Sequence, residues 1–172
     1  MITQEEMRKR IQELGLRIAQ DYQEKDLLMI GVLKGAFVFF FRLGAGRSPF
    51  RSMLISWSFQ VMVKRKKAAG RSRLSRISHK ISKGKDVLVV EDIVDSGLTL
   101  TFLKKKLMAR KPKSLRFCTL LDKPQRRKTE VTIDYVGFTI PNKYVVGYGL
   151  DYENKYRNLP YIAVLENVRE DA

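Results

Sequence analysis

The segment that decides the fold is VLVVEDIVDSGLTL, residues 87–100. Its first four residues are apolar and mostly β-branched, which is typical of a strand buried on both faces of a parallel sheet. Two adjacent carboxylates, Glu91 and Asp92, follow, and a third, Asp95, precedes a Ser-Gly turn. Ligands of open α/β sheets bind in the crevice beyond the carboxyl ends of the strands. The segment therefore predicts a ligand site at the end of a buried strand.

The loop after this strand, residues 95–99, suits a phosphate group. Ser96 and Thr99 supply hydroxyls, and Gly97 allows the backbone to approach a ligand closely. Because the loop opens a helix, its backbone N–H groups lie at the positive end of the helix dipole. The acids before it would repel a bare phosphate but suit the cis-diol of a ribose or a magnesium ion. A ribose 5-phosphate carrying a metal fits both halves of the segment.

Other apolar segments complete an α/β pattern. Short, largely apolar runs predict strands of a parallel sheet at residues 26–33, 86–93, 114–121 and 161–165. Between the second and third runs, Leu100, Leu103 and Leu107 recur at helical spacing before Pro112, which predicts a helix. The order strand, helix, strand favours an α/β sheet with crossover connections.

The N-terminal segment predicts an amphipathic helix. Thr3 and Glu6 have the spacing of a capping box. Apolar residues then recur at helical spacing over four turns, at Met7, Ile11, Leu14 and Ile18. At 172 residues and 44% hydrophobic, the chain has the size of one domain. Without an apolar run of membrane-spanning length or a signal-peptide core, we expect a soluble, cytoplasmic protein. The lone cysteine, Cys118, lies in an apolar run and is expected to be a core thiol.

The net charge of +16 is concentrated in one part of the chain. Residues 42–85 contain 13 Lys and Arg and no Asp or Glu, which leaves 21 basic and 18 acidic residues elsewhere. A nucleic-acid-binding protein would carry its positive charge as a basic face or stripe. The charge therefore marks an unusual segment and does not by itself indicate a nucleic-acid partner.

Five segments carry a resemblance to a known family. Residues 87–100 resemble the phosphoribosyl-pyrophosphate-binding motif of type I phosphoribosyltransferases. The form with Glu-Asp followed by Asp-Ser-Gly resembles the motif of the branch that acts on 6-oxopurines. Four more segments resemble bacterial hypoxanthine-guanine phosphoribosyltransferases in order and spacing: GVLKGAFVF (31–39), LLDKPQRR (120–127), VGFTIPNKYVVGYGLDY (136–152) and KYRNLPYI (155–162). The resemblance covers residues 1–41 and 80–166.

The resemblance implies a fold and an activity. The fold is that of type I phosphoribosyltransferases, an α/β domain with a mainly parallel twisted sheet flanked by helices and a small hood subdomain, here spanning residues 1–172. The activity is transfer of 5-phosphoribosyl from phosphoribosyl pyrophosphate to hypoxanthine or guanine, which gives IMP or GMP and pyrophosphate, with Mg²⁺ as cofactor. The implied assembly is a homodimer or homotetramer, with no membrane or nucleic-acid partner.

The resemblance also implies roles for residues at the ribose and phosphate groups. Glu91 and Asp92 would hold the ribose hydroxyls and magnesium, and Asp95 would be the general base. The 5′-phosphate would be bound by Asp95, Ser96, Gly97, Leu98 and Thr99. The pyrophosphate would be bound by Arg157 and by the loop of Leu33, Lys34 and Gly35. A cis peptide is expected in this loop between Leu33 and Lys34.

The purine would be bound by Lys123, Tyr144, Val145 and Asp151. By resemblance, Lys123 donates to the exocyclic oxygen, Tyr144 stacks on the ring, and Val145 supplies a backbone contact. Asp151 would join Glu91 and Asp92 as a metal ligand. A lysine selects an oxygen acceptor over an amino donor, so hypoxanthine and guanine are accepted and adenine is not. At Asn142 the family more often has Asp, and we interpret this as a surface substitution.

Residues 42–79 depart from the family pattern. The family has there a helix end, a core strand and a mobile flap with Ser-Ser-Tyr-Gly. We expect none of these in this segment, which is Arg-rich and contains no acid. Codons can be chosen for residues 51–63 so that a shifted frame reads VDVDFMVISSYG, which contains the flap motif. We therefore hypothesise a frameshift, in the gene or in its recorded sequence. As written, residues 64–80 are predicted to form an arm without regular structure.

Two other interpretations remain open from the sequence. An RNA-binding pyrimidine-operon regulator shares the fold, and the basic segment favours it, but its motif usually has paired Asp where this chain has Glu91 and Asp92. A non-catalytic protein could also retain the fold after loss of the flap. An isolated Asp95-Ser-Gly sequence could, in addition, be a simple helix start without a ligand.

Peptide mapping and intact mass test the frameshift hypothesis. If the recorded residues are a sequencing artefact, the protein will yield acid-containing peptides with Ser-Ser-Tyr-Gly and a lower net charge than +16. Detection of the tryptic peptide that contains Met53, Trp57 and Met62 would exclude a sequencing artefact and leave only a frameshift in the gene. Coding DNA that gives the flap motif in no frame would refute both forms.

Overall fold

The computed structural model describes residues 1–45, 58–65, 73–75 and 82–166. Helices and strands follow in the order α1 (Gln4–Asp21), β1 (Leu27–Leu33), α2 (Phe37–Ala45), β2 (Ser58–Arg65), β3 (Arg73–Ser75), β4 (Asp86–Val94), α3 (Leu98–Met108), β5 (Ser114–Asp122), β6 (Tyr135–Thr139), β7 (Val145–Val146) and β8 (Ala163–Val164). A short 3-10 helix, Pro124–Arg126, follows β5. None of the helices in these ranges is long and apolar enough to cross a membrane.

The main sheet has six strands in the order β3-β2-β1-β4-β5-β6. All neighbouring pairs are parallel except β2 and β3, which are antiparallel at the edge. β4 lies inside the sheet, where Val90 pairs with Gly31 of β1 and with Cys118 of β5. This register brings the carboxyl ends of β1, β4 and β5 to one edge. The predicted parallel α/β sheet is confirmed.

The continuous apolar run of β4 is explained by burial of both faces of the sheet. Leu88 and Val90 pack in a core cluster with residues of α1 and α2. Val87 and Val89 point to the other face and pack with residues of α3. Because successive strand residues alternate between faces, a strand covered on both sides must be apolar at every position.

Both predicted helices are confirmed. At the start of α1, the Thr3 side chain accepts a hydrogen bond from Glu6 N, and the Glu6 carboxylate accepts one from Thr3 N at 2.7 Å. The predicted apolar positions of α1 are all buried: Met7, Ile11, Leu14 and Ile18. Those of α3 are also buried: Leu100, Leu103 and Leu107. Cys118 is 1% exposed, as expected for a core thiol, and its burial raises the pKa of the thiol.

The prediction of a parallel-sheet strand at residues 161–165 was wrong. Only Ala163–Val164 forms a strand there, and it pairs antiparallel with Val145–Val146 in a separate two-stranded sheet. A short apolar run indicates burial, but it does not specify the partner strand. β6, Tyr135–Thr139, was not predicted, because Gly137 and Thr139 interrupt its apolar residues.

The basic segment contains more regular structure than its sequence predicts. β2 pairs in parallel with β1 over residues 58–63, and β3 pairs with the end of β2. The expectation that residues 42–79 contain no helix end and no core strand is wrong, because α2 continues to Ala45 and β2 forms there. The expectation that residues 64–80 lack regular structure is wrong at residues 64–65 and 73–75. A strand adds to a sheet edge through backbone hydrogen bonds, which need no particular side chain. Residues 46–57, 66–72 and 76–81 lie outside the described residues.

Candidate active site

The loop after β1 packs against the end of β4. A side chain at Gly35 would overlap the Asp92 carboxylate. A side chain at Gly149 would likewise overlap the carbonyl oxygen of Gly35. Gly35 therefore contacts both Asp92 and the segment after β7. The cis peptide between Leu33 and Lys34, implied by the resemblance, is present just before this contact.

The acid pair occupies two different environments. Glu91 is 1% exposed, whereas Asp92 is half-buried. As neighbours on a strand, the two side chains point to opposite faces of the sheet. Asp92 lies on the side of Gly35, and its Oδ1 accepts a hydrogen bond of 3.0 Å from Ile93 N. Asp92 is therefore the acid directed toward the loop that follows β1.

The predicted phosphate loop has the geometry expected for binding an anion. Gly97 is the N-cap of α3 and has a φ of 81°, a conformation that favours glycine. Ser96 and Thr99 are half-buried and Leu98 is exposed, so a ligand can reach the loop. Thr101 Oγ1 closes the first turn by donating to Gly97 O at 3.1 Å. The loop thus presents hydroxyls at the start of a helix with a fixed first turn.

Asp95 is paired with an arginine that the sequence analysis did not assign. Arg126 Nε lies 3.0 Å from Asp95 Oδ1, as an ion pair without the alignment of a hydrogen bond. Arg126 Nη1 also donates to Asn142 Oδ1 at 3.4 Å. Asn142, interpreted from sequence as a surface substitution, is exposed and accepts this hydrogen bond from Arg126. Arg126 lies three residues after Lys123. The only feature of the sequence that pointed to Arg126 was the adjacent basic pair, Arg126 and Arg127.

The residues predicted to bind the purine lie on two segments. Lys123 directly follows β5, is 6% exposed, and its backbone N donates to Val94 O at 2.9 Å. The Tyr144 hydroxyl donates to Asp151 O at 3.3 Å, and its ring meets Tyr152 edge-on with centroids 5.5 Å apart. Burial, followed by the charge of Asp151, raises the pKa of Tyr144. Val145 is buried in β7.

Arg157 connects the predicted pyrophosphate elements. Its Nη2 lies 2.5 Å from Asp151 Oδ1, and its Nη1 donates to Gly149 O at 2.6 Å. The other oxygen of Asp151 accepts from Asn154 N at 2.8 Å. Since Gly149 packs on Gly35, Arg157 and the loop after β1 are brought together through one glycine. The structure therefore joins two segments that are far apart in sequence.

No three metal-ligating side chains come together within residues 1–45, 58–65, 73–75 and 82–166. Glu91, Asp92 and Asp151 do not form one three-acid centre. Mg²⁺ typically takes only one or two carboxylates and completes its shell with water and substrate phosphates. The acids present fit that mode of binding, with Asp92 at one side of the site and Asp151 at the other.

Comparison with known proteins identifies the family. The sequence profile described as "Phosphoribosyl transferase domain" matches residues 1–153. The chain belongs to the phosphoribosyltransferase family. It is 44% identical over 177 residues to the hypoxanthine-guanine phosphoribosyltransferase of Mycobacterium tuberculosis, covering 96% of this chain and 85% of the relative. It is 43% identical to the enzyme of the same name from Bacillus subtilis, with 96% and 92% covered.

A solved phosphoribosyltransferase structure agrees with the fold. The crystal structure of a hypoxanthine-guanine phosphoribosyltransferase from Bacillus anthracis matches with a TM-score of 0.83 and 43% identity, over 95% of this chain and 94% of that chain. The predicted type I phosphoribosyltransferase fold is confirmed. These relatives give no support to the RNA-binding alternative.

The contact between Gly35 and Asp92 makes a steric prediction. Gly35→Ala should destabilise the fold by about 1–3 kcal/mol, because the added methyl displaces a packed carboxylate. Thermal unfolding measures this loss. Combined with Asp92→Ala, which removes the overlapping group, the same substitution should cost much less stability. Equal losses in the two backgrounds would show that this contact does not position the loop.

Proposed function

We propose that the protein is a purine-salvage enzyme, which transfers 5-phosphoribosyl from phosphoribosyl pyrophosphate to hypoxanthine or guanine. The products are IMP or GMP and pyrophosphate. The observation that supports this proposal is the packing of the loop after β1 between Asp92 and Gly149. This packing brings together the loop after β1, the end of β4 and the segment after β7, where we propose that pyrophosphate, ribose and purine bind.

The acids after β4 suit a transition state in which positive charge develops on the ribose. Carboxylates fixed in a partly buried site stabilise such a charge without reorganising during the reaction. Asp92, which faces the loop after β1, would accept hydrogen bonds from the ribose hydroxyls and so fix the orientation of the sugar. Glu91, predicted for the same role, is 1% exposed and points to the other face of the sheet. The loop at residues 95–99 would hold the 5′-phosphate at the start of α3.

Asp95 is the proposed proton acceptor for the purine. As an ionised carboxylate it can only accept hydrogen bonds, so it suits a purine nitrogen that loses a proton as the new bond forms. Its ion pair with Arg126 must give way to, or rearrange around, the bound purine. Arg157 and the loop after β1 would bind the leaving pyrophosphate, and a guanidinium fork suits that task.

Lys123 is the proposed selector of the base. Its ammonium can donate to the exocyclic oxygen of hypoxanthine or guanine but not to the amino group of adenine. Tyr144 would stack on the ring, and the Val145 backbone would complete the base contacts. Asp92 and Asp151 would each be able to hold Mg²⁺ together with substrate oxygens, and the bound metal would supply positive charge beside the pyrophosphate. Cytoplasmic location and a homodimeric or homotetrameric assembly complete the proposal.

An assay of the purified protein tests the function. Hypoxanthine and phosphoribosyl pyrophosphate with Mg²⁺ should give IMP and pyrophosphate in equal amounts, and adenine should give no nucleotide. The readouts are chromatography of the nucleotide and a coupled assay of pyrophosphate. Failure to form IMP or GMP at saturating substrates would refute the enzymatic proposal and favour a non-catalytic protein.

Asp95→Asn tests the proton acceptor. The substitution should lower kcat by about 100-fold to 10,000-fold, because it removes a proton acceptor needed in the transition state. The affinity for phosphoribosyl pyrophosphate should change much less, since the amide has nearly the same shape. Steady-state kinetics and a binding titration measure the two effects. Unchanged turnover would exclude Asp95 from the mechanism.

Lys123→Ala tests base selection. We expect higher KM values for hypoxanthine and guanine and weaker discrimination against adenine, because the variant lacks the donor to the exocyclic oxygen. The measured quantity is kcat/KM for each of the three bases. Lys143→Ala, at an exposed lysine before Tyr144, is the matched control. Unaltered KM values for the two oxopurines would place Lys123 outside the base pocket.

A further inference from the structure

Arg127 connects the end of β5 to the phosphate loop. Its Nη2 forms an ion pair with Asp122 Oδ1, and its Nη1 donates to the backbone oxygen of Asp95 at 3.0 Å. The side chains of Arg127 and Asp122 are only 18% and 14% exposed. One guanidinium therefore links the residue before Lys123 to the first residue of the phosphate loop.

The segment around Arg127 covers one side of the phosphate loop. Lys128 N donates to Ser96 O at 2.9 Å. A side chain at Gly97 would come within 3.0 Å of Arg127 Cδ and within 2.9 Å of Thr129 Oγ1. Two consecutive carbonyls of the loop, those of Asp95 and Ser96, are thus held by two consecutive residues of the neighbouring segment.

Holding these carbonyls fixes the direction of two N–H groups. In a planar trans peptide the C=O and the N–H point to opposite sides. The N–H groups of Ser96 and Gly97 therefore point away from Arg127 and Lys128. Successive N–H groups directed to one side form a concavity that binds anions. The position of Arg127 behind the loop thus determines which side of the loop can receive a phosphate.

We propose that Arg127 is a positioning residue, which orients the backbone of residues 95–97 toward the 5′-phosphate and anchors it to Asp122. The inference rests on the proposed function, because it assigns a phosphate ligand to the same loop. Arg127 acts from behind the loop and through its backbone, whereas the residues assigned above contact the substrate. Its guanidinium fork serves two acceptors at once, which a lysine ammonium does less well.

Binding of two simple ligands tests the proposal without requiring turnover. Ribose 5-phosphate carries the 5′-phosphate, and inorganic pyrophosphate with Mg²⁺ reports on the separate loop after β1. In Arg127→Ala, the Kd for ribose 5-phosphate should rise about 10-fold to 100-fold, because a small displacement of binding groups is this costly. The Kd for pyrophosphate should stay within about twofold. Isothermal titration measures both.

Two further variants separate positioning from general stability. Arg127→Lys keeps the charge and the aliphatic stem, so its Kd for ribose 5-phosphate should fall between those of wild type and Arg127→Ala. It also replaces Arg127→Ala if that variant does not fold. Arg116→Ala is the matched control, because it removes an Arg–Asp ion pair with Asp21 near the amino end of β5. It should lower the melting temperature without weakening ribose 5-phosphate binding.

The outcomes distinguish the inference from the proposed function. Unchanged ribose 5-phosphate binding in both Arg127 variants, or equal weakening of both ligands, would overturn the positioning role. Wild-type protein that binds ribose 5-phosphate but forms no IMP or GMP would contradict the proposed function and leave the positioning role intact. A Kd for ribose 5-phosphate that rises from wild type to Arg127→Lys to Arg127→Ala, with an unchanged Kd for pyrophosphate, would support the inference.

Discussion

The candidate site depends on the contact between Gly35 and the carboxylate of Asp92. β4 is an interior strand, so the acids at its end are placed beside the end of β1 by sheet register. The loop after β1 can approach Asp92 only because Gly35 has no side chain. Gly149 packs on the other side of the same loop for the same steric reason. Two glycines therefore determine the distance between three segments that sequence separates widely.

Charge balance is the second constraint on the site. A polyanionic substrate would be repelled by carboxylates alone, and arginines lie beside several of them: Arg126 at Asp95, Arg127 at Asp122 and Arg157 at Asp151. Two of these arginines also donate to backbone carbonyls, which ties the charge to the loop geometry. Hydrogen bonds to charged groups contribute about 1.5–3 kcal/mol each, so these links can hold loops in place. These ion pairs offset part of the negative charge of the acids at the site.

The basic segment shows how far a sheet tolerates an unusual sequence. β2 and β3 extend the sheet beyond β1, although the surrounding residues are rich in Lys and Arg and lack acids. Backbone pairing supplies the same hydrogen bonds for nearly any residue that can adopt an extended conformation. The family match over residues 1–153 includes this segment, and the site residues described above all lie outside it. The assignment of these site residues therefore does not depend on the identity of the residues in the basic segment.

Local sequence patterns were sufficient to predict several elements of the fold. These are the buried runs of β1, β4 and β5, the capped helix α1, the helix after Gly97, and the acids at a strand end. The resemblance to the family implied roles for residues such as Lys123 and Arg157, because the motifs that contain them can be recognised in the sequence alone. The partner of residues 163–164, the strand at residues 135–139, and the links from Arg126 and Arg127 to Asp95 were decided only by tertiary structure. Each of these depends on which chain segments become neighbours, and periodicity along one segment does not encode the identity of its neighbour.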